Sequence, residues 1–208
     1  MMYTKKDIEQ LDRISRLKII NAVTGIKPAN LIGSINSDGL SNLAIFSSVV
    51  HLGSNPALLG FISRPQTPEV GHTLRNIKEN GSYTINHIHP NFVKNAHYTS
   101  AKFSAEESEF ELCGLTQEYQ KDILAPFVKQ STFKMGMQFV ETLDIKHNGT
   151  VMVIGEIQKL IIDNSAMVDD DIDLQASNSV GISGLNSYYE LKKIAQFPYA
   201  RIEELPEF

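Results

Sequence analysis

The chain predicts a mainly β fold, an antiparallel barrel with peripheral helices. Three observations lead there. Six or seven segments rich in β-branched and aromatic residues recur between short turn signals. The connections between neighbouring segments are shorter than the dozen or more residues that a parallel crossover needs. Little helical periodicity lies between them, so the sheet has to bury its apolar face against itself. A length of 208 residues suits one domain over 1–208, with the barrel over about 17–182 and a tail over 183–208.

In chain order, Thr4 and Asp7 have capping-box spacing, and Ile8, Leu11 and Ile14 form one apolar stripe, predicting a helix over about 5–16. Residues 17–23 turn β-rich and end at Thr24-Gly25. Strands follow over 29–36, 42–52 and 57–63, with Gly39 of Ser37-Asp38-Gly39 placed to take positive φ. After the Pro-stiffened loop 64–68, a helix is expected over 69–79 with Val70, Leu74 and Ile77 on one face, stopped by Asn80-Gly81. A strand over 82–88 and a short helix within 91–102 come next. The acid-rich 106–116 reads as solvated loop. Long strands over 128–146 and 150–163 join through Asn148-Gly149, and 169–173 is an acidic loop. The tail offers a short strand and a helical turn near 189–194.

Composition narrows the function classes. A formal charge of −5 opposes nucleic acid and anionic membrane as partners, since both demand basic surface. The N-terminus has no apolar signal core, no apolar run approaches a membrane span, and the single Cys113 fits a reducing compartment, so a cytoplasmic protein is expected. Cys113 has no linked base and reads as a buried, inert thiol.

Dinucleotide-fold, P-loop, GxSxG and HExxH motifs are absent. Asp169, Asp171 and Asp173 have calcium-loop spacing, but Leu174 and Val180 stand where that loop needs Gly and Glu, so no metal is expected there. His87, His89 and His97 lack evident supporting partners and are read as no metal site either. A better constellation joins three pieces. Asn42, Ala44, Ile45, Phe46, Ser47 and Ser48 mix small and polar residues into a strand, which leaves backbone able to lie flat on a planar ligand. Arg64 follows the third strand. His72 and Thr73 stand near a helix start, where amides and the dipole attract anions.

These residues carry a resemblance. Lys27-Pro28-Ala29-Asn30-Leu31-Ile32-Gly33, Asp38-Gly39, Asn42-Leu43-Ala44-Ile45-Phe46-Ser47, Asn55-Pro56, Arg64-Pro65, Thr73-Leu74-Arg75-Asn76-Ile77 and Tyr83-Thr84-Ile85-Asn86 occur in the order of the flavin reductase-like family. Ser108-Glu109-Phe110-Glu111, Gly114-Leu115-Thr116 and Ile154-Gly155-Glu156-Ile157 extend the likeness over about 20–160, and the tail matches only loosely. The resemblance implies an antiparallel Greek-key split β-barrel, a homodimer and non-covalent FMN near the subunit interface. The ring would lie against Asn42–Ser48, largely on backbone amides and hydroxyls, with the phosphate on Arg64 and Thr73. His72 replaces a Lys of many relatives, which makes FMN affinity expected to fall above the titration range of His72. Ile45 replaces a common Pro, so its amide becomes a donor.

The implied activity is hydride transfer from NADH or NADPH through FMN to free flavin or another small-molecule or redox-protein acceptor; catalytic side chains are not readable. The alternative is an FMN-binding electron carrier without nicotinamide activity. A weaker one is a haem-binding split barrel using His51, His87, His89 or His97. Tyr188, Tyr189, Tyr199 and Arg201 form an aromatic-basic tail expected to pack on its own barrel, the alternative being a partner subunit's flavin.

Overall fold

A computed structural model describes residues 1–65, 67 and 71–207. Thr4 caps α1 (Lys5–Gln10) as its spacing predicts: its hydroxyl accepts the Asp7 amide at 3.3 Å, and the Asp7 carboxylate accepts the Thr4 amide at 2.8 Å. The helix expected over 5–16 does not run on. Asp12 accepts the amides of Ile14 and Ser15 and starts α2 (Arg13–Ala22), so the predicted strand over 17–23 is helical. β-branching costs a helix only tenths of a kcal/mol per residue, whereas a cap contributes about 1 kcal/mol. With no sheet neighbour to compete, the cap decides.

The short β1 (Lys27–Pro28) precedes β2 (Asn30–Ile35), which pairs antiparallel with β3 (Ser41–Phe46) across a turn where Gly39 takes φ +85°. The strand expected over 42–52 breaks at Ser47. That connector has a bend but no hydrogen-bonded turn, and β4 (Val50–Ser54) pairs onward with β5 (Ala57–Ser63) instead of back onto β3. Of the helix expected over 69–79, Glu69 and Val70 lie outside the described residues. What is described is α3 (His72–Asn80), which buries Leu74 and Ile77 and ends on Gly81 at φ +74°.

Then come β6 (Ser82–His87), α4 (Val93–Tyr98) and α5 (Glu109–Leu112). The last corrects the loop expected over 106–116, because Glu109 and Phe110 are buried. A hairpin, β7 (Gln117–Gln120) and β8 (Ile123–Val128), precedes the long β9 (Phe133–Ile145) and β10 (Thr150–Ile162). The acidic 169–173 stretch turns between β11 (Met167–Val168) and β12 (Asp171–Ile172). β13 (Val180–Ser183) pairs with β1 and with β14 (Ser187–Glu190), which replaces the helical turn expected there.

The main sheet has seven antiparallel strands in the order β3-β2-β6-β9-β10-β5-β4. Its edges, β3 and β4, are consecutive in sequence and not bonded to each other. The closed barrel suggested by strand counting is therefore open between them, a split barrel. Alternate residues of β2 enter different cores. Ile32 joins Phe61, Tyr83, Ile85, Met137 and Val153 with Leu74 and Ile77 of α3. Leu31 joins Leu43, Ile88, Phe110, Val128 and the α4 residue Ala96. Gly33 allows β8 to approach β2, since a Cβ there would stand 2.3 Å from the Pro126 carbonyl oxygen.

Candidate functional site

The site is organised by edge strand β3, whose two ends have different surroundings. At its start, the Glu109 carboxylate accepts the Leu43 amide at 2.9 Å, and the Ser41 and Ser108 hydroxyls meet at 2.8 Å. The Leu43 N–H therefore points away from β2. Strand alternation puts the Ile45 N–H on that same outer edge, beyond the cover of α5.

The side chains of the 42–48 stretch divide by face. Asn42 is buried, and its amide donates to Thr73 Oγ1 at 3.1 Å and to Ser34 Oγ at 3.4 Å. Its role is to position Thr73. Ala44 is half-buried opposite Ile32. Ile45 packs on the Leu31–Leu43 core. The Phe46 ring meets Phe61 edge-on at 4.9 Å and is fixed in the other core. Ser47 is half-buried in the connector. The Ser48 hydroxyl accepts the Ile62 amide at 3.0 Å, which ties the connector to β5.

Helix α3 supplies the cationic end. Its N-cap is Gly71 at φ +96°, with no side-chain cap, so the first-turn amides have no acceptor within the helix. Thr73 is buried, and because its hydroxyl oxygen accepts from Asn42, its proton remains to donate. Asn76, one turn on, donates to Ser34 at 3.2 Å and completes a buried polar network. His72 is half-buried with Nε2 enclosed and without a hydrogen-bond partner among the described residues. Burial, reinforced by the Arg75 charge, holds its pKa below the ordinary imidazole value. A cavity of about 210 Å³ beside it is lined by Asn42, His72, Arg75, Asn76, Glu79 and Glu107, among others. Arg64 is exposed just past β5, two residues beyond the Ile62 backbone that Ser48 holds.

The sequence-predicted residues are thus partly joined: Asn42 meets Thr73 directly, while Arg64 follows the strand that anchors Ser48. Ser34, Asn76 and Glu109 were missed. The Thr73–Asn76 spacing, one helical turn, marks a shared face and was readable. Glu109 was hidden in an acid-rich run, and its burial, which raises its pKa, is a tertiary fact.

Three of the other histidines are occupied. His89 bonds the Asn178 carbonyl through Nδ1 at 3.0 Å and accepts the Thr132 amide at Nε2 at 3.0 Å. His87 bonds Ser179 at 2.9 Å and stacks on Phe133, and burial with the nearby His89 lowers its pKa to about 4. His97 bonds the Tyr188 hydroxyl at 3.1 Å, and His51 is exposed. Among the described residues no group of three His, Cys, Asp or Glu gathers as a metal site, and no helix is long and apolar enough to cross a membrane. Cys113 is buried, and burial followed by the Glu109 charge raises its pKa. The tail packs as expected only at its start, where Tyr188 lies against the Leu31–Leu43 core and Tyr189 pairs with Gly181. Tyr199 is 86% exposed, and Arg201 pairs with Glu204 of the tail at 3.6 Å.

An antiparallel sheet split between consecutive strands, with an open edge beside a helix start, defines a class of split-barrel proteins. Residues 26–174 match the flavin reductase like domain, and the chain belongs to the flavin reductase-like family. A crystal structure from Shewanella frigidimarina NCIMB 400, described as a flavin reductase with split barrel domain, is 47% identical. It superposes with a TM-score of 0.92 over 96% of this chain and 100% of that one. Nitrilotriacetate monooxygenase component B from Bacillus cereus shares the fold at 19% identity, with a TM-score of 0.83 over 95% of this chain and 98% of its own. An uncharacterised protein of Aquifex aeolicus is 24% identical over 160 residues, covering 70% of this chain and 81% of the relative.

Proposed function

We propose that this protein is an oxidoreductase that binds FMN non-covalently and passes hydride from NADH or NADPH through it to free flavin or another small-molecule or redox-protein acceptor. One observation carries the reading. In a chain of this family, the uncovered length of β3 and the uncapped start of α3 offer backbone donors, and the Asn42–Thr73 bond links them. The residues fit such a group. The unpartnered, enclosed His72 Nε2, the first-turn amides and the Thr73 hydroxyl proton are donors or acceptors that a phosphate would satisfy.

When bound, FMN supplies the hydride and electron chemistry. The chain's own groups bind and orient. Thr73 and the α3 amides would hold the phosphate, with Arg64 adding a charge-assisted fork. The Ile45 and Ser47 backbone would meet the polar edge of the ring, and the short Ala44 side chain keeps that stretch slim. Ser48, tied to Ile62, and Phe46, locked on Phe61, hold this backbone still. His72 acts as a neutral hydrogen-bonding ring near pH 7. A homodimer with FMN near its interface, which the resemblance implies, belongs to the same proposal.

The test is an anaerobic titration of the FMN-loaded protein with NADH and with NADPH. Loss of the oxidised flavin's visible absorption with either nucleotide is expected. Reduction by dithionite but by neither nucleotide would overturn the enzyme reading in favour of an electron carrier.

A further inference from the structure

The segment after β14 is the least explained part of the molecule. From 191 onward it has no regular structure apart from one helical turn at Ile202–Glu204. Yet it is not a polar linker. Ile194, Phe197, Tyr199, Ile202 and Leu205 are 93%, 84%, 86%, 84% and 63% exposed. Its root is fixed: Lys193 donates its amide to Gln175 at 2.9 Å and pairs with Asp173 at 3.5 Å. Past Gln196, the hydrogen bonds and ion pairs among the described residues are made within the segment, such as Arg201 with Glu204. A disordered tail would be poor in large apolar residues, because such residues gain free energy only when buried. This one is rich in them, and beyond the half-buried Leu191 at its root the five named side chains stay exposed.

A second surface is only partly covered. Leu52 of β4 lies over Gly60, with its side chain 3.0 Å from the Cβ that residue would carry. Gly60 pairs with Ile154, Ile62 with Met152, and Met152 with Leu143. Directly paired residues share a face. Since Phe61 and Val153 point into the core, these residues line the opposite, outward face of β5, β10 and β9. On that face Leu52 is 41% and Leu143 49% exposed.

We propose that residues 191–205 are an exchange arm that crosses to a second copy of this chain and packs on its outward β4–β5–β10–β9 face. The areas match. Five large side chains at roughly 150 Å² each offer about 750 Å² per arm. Two symmetry-related arms give about 1,500 Å², close to the roughly 1,600 Å² of a stable specific interface. The reach also suffices: about 15 residues extend to some 50 Å, against a radius of gyration near 17 Å for a chain this long. Charge does not oppose contact, because the arm carries Lys192, Lys193 and Arg201 against Glu203 and Glu204, on a chain whose formal charge is −5. Two-fold symmetry makes each arm both donor and recipient, which closes the assembly at two chains.

The experiment is light scattering across a dilution series on three proteins: the full chain, a chain ending at Gln196, and Phe197→Asp with Tyr199→Asp. The full chain is expected at twice the 23.2 kDa chain mass. Both altered proteins are expected to dissociate at concentrations at least tenfold higher. The circular dichroism of each at high concentration should match the full chain, because the altered side chains all lie past Gln196, where the hydrogen bonds and ion pairs stay within the segment. Limited proteolysis supplies a second readout, with the arm protected in the concentrated full chain and cut on dilution. A full chain that is monomeric, or a dimer whose dissociation is unchanged by both alterations, would overturn the proposal.

Discussion

The first and last halves of β3 share one backbone and one neighbour, β2, but differ on their outer edge. Over Ser41–Leu43 that edge is closed by Ser108 and Glu109, and the outward Leu43 amide has a carboxylate. From Ile45 to Ser48 it is open, and the side chains there are committed inward or to β5 instead. An exposed edge invites unwanted pairing, so leaving one open is tolerated where something else occupies it. The contrast separates a length of strand whose donors serve folding from one whose donors serve a ligand.

The largest expected effect lies beneath the closed half, at the β2 residue opposite Leu43. Gly33→Ala puts a Cβ against the Pro126 carbonyl, a backbone atom that cannot turn away, and should cost about 3 kcal/mol in chemical denaturation. Glu109→Ala comes next. It leaves a buried amide without a partner and should cost about 2 kcal/mol. Glu109→Gln keeps an acceptor and should cost less. Because burial raises the Glu109 pKa, the folded chain holds that proton longer than the unfolded chain. Its contribution is therefore full below the ordinary carboxylate value and declines as pH rises through the folded one, a slope the Gln variant should lack.

On the open half, Arg64→Ala should weaken FMN about tenfold and riboflavin little, as a charge-assisted bond to phosphate implies. Equal losses by fluorescence titration would remove Arg64 from the phosphate. His72 sharpens the point by its pH window. With its pKa below the usual 6.5, FMN affinity should be flat above neutrality and should rise only as pH falls through the lowered value. That rise should vanish in His72→Ala. The pH dependence expected from the sequence is thereby moved to the acid side. Smallest is Ile45→Pro. Its N–H faces outward, so no ladder bond is lost, and the stability cost should be only the about 1 kcal/mol of shortening a side chain that packs on the Leu31–Leu43 core. Flavin affinity should still fall roughly two- to tenfold for one lost donor. A stability loss well beyond that of Ile45→Ala, which shortens the same side chain but keeps the N–H, would show that the Ile45 amide bonds to protein.

Legibility followed the range of the forces involved. The Thr4–Asp7 box, the Gly39 turn, the Gly81 stop and the β9–β10 hairpin were readable because each depends on residues within a few positions. The strand over 42–52 was misread as continuous, since a break at Ser47 carries no strong local turn chemistry. The 17–23 stretch was misread because a cap at Asp12 outweighed weak β propensity. The tail was expected on its own barrel; Tyr188 is there, and no local rule says that Phe197, Tyr199, Ile202 and Leu205 stay exposed.

By itself, then, the sequence determined the β-rich fold class, the family and a short set of residues around β3 and α3, because period, turn chemistry and motif order are written in neighbours. Only the tertiary structure decided which donors of β3 are already taken, that Asn42 serves Thr73, that Glu109 is buried and that the tail stands uncovered. Each of those depends on contacts between distant segments, and burial and the polar partners it requires exist only once those segments have met.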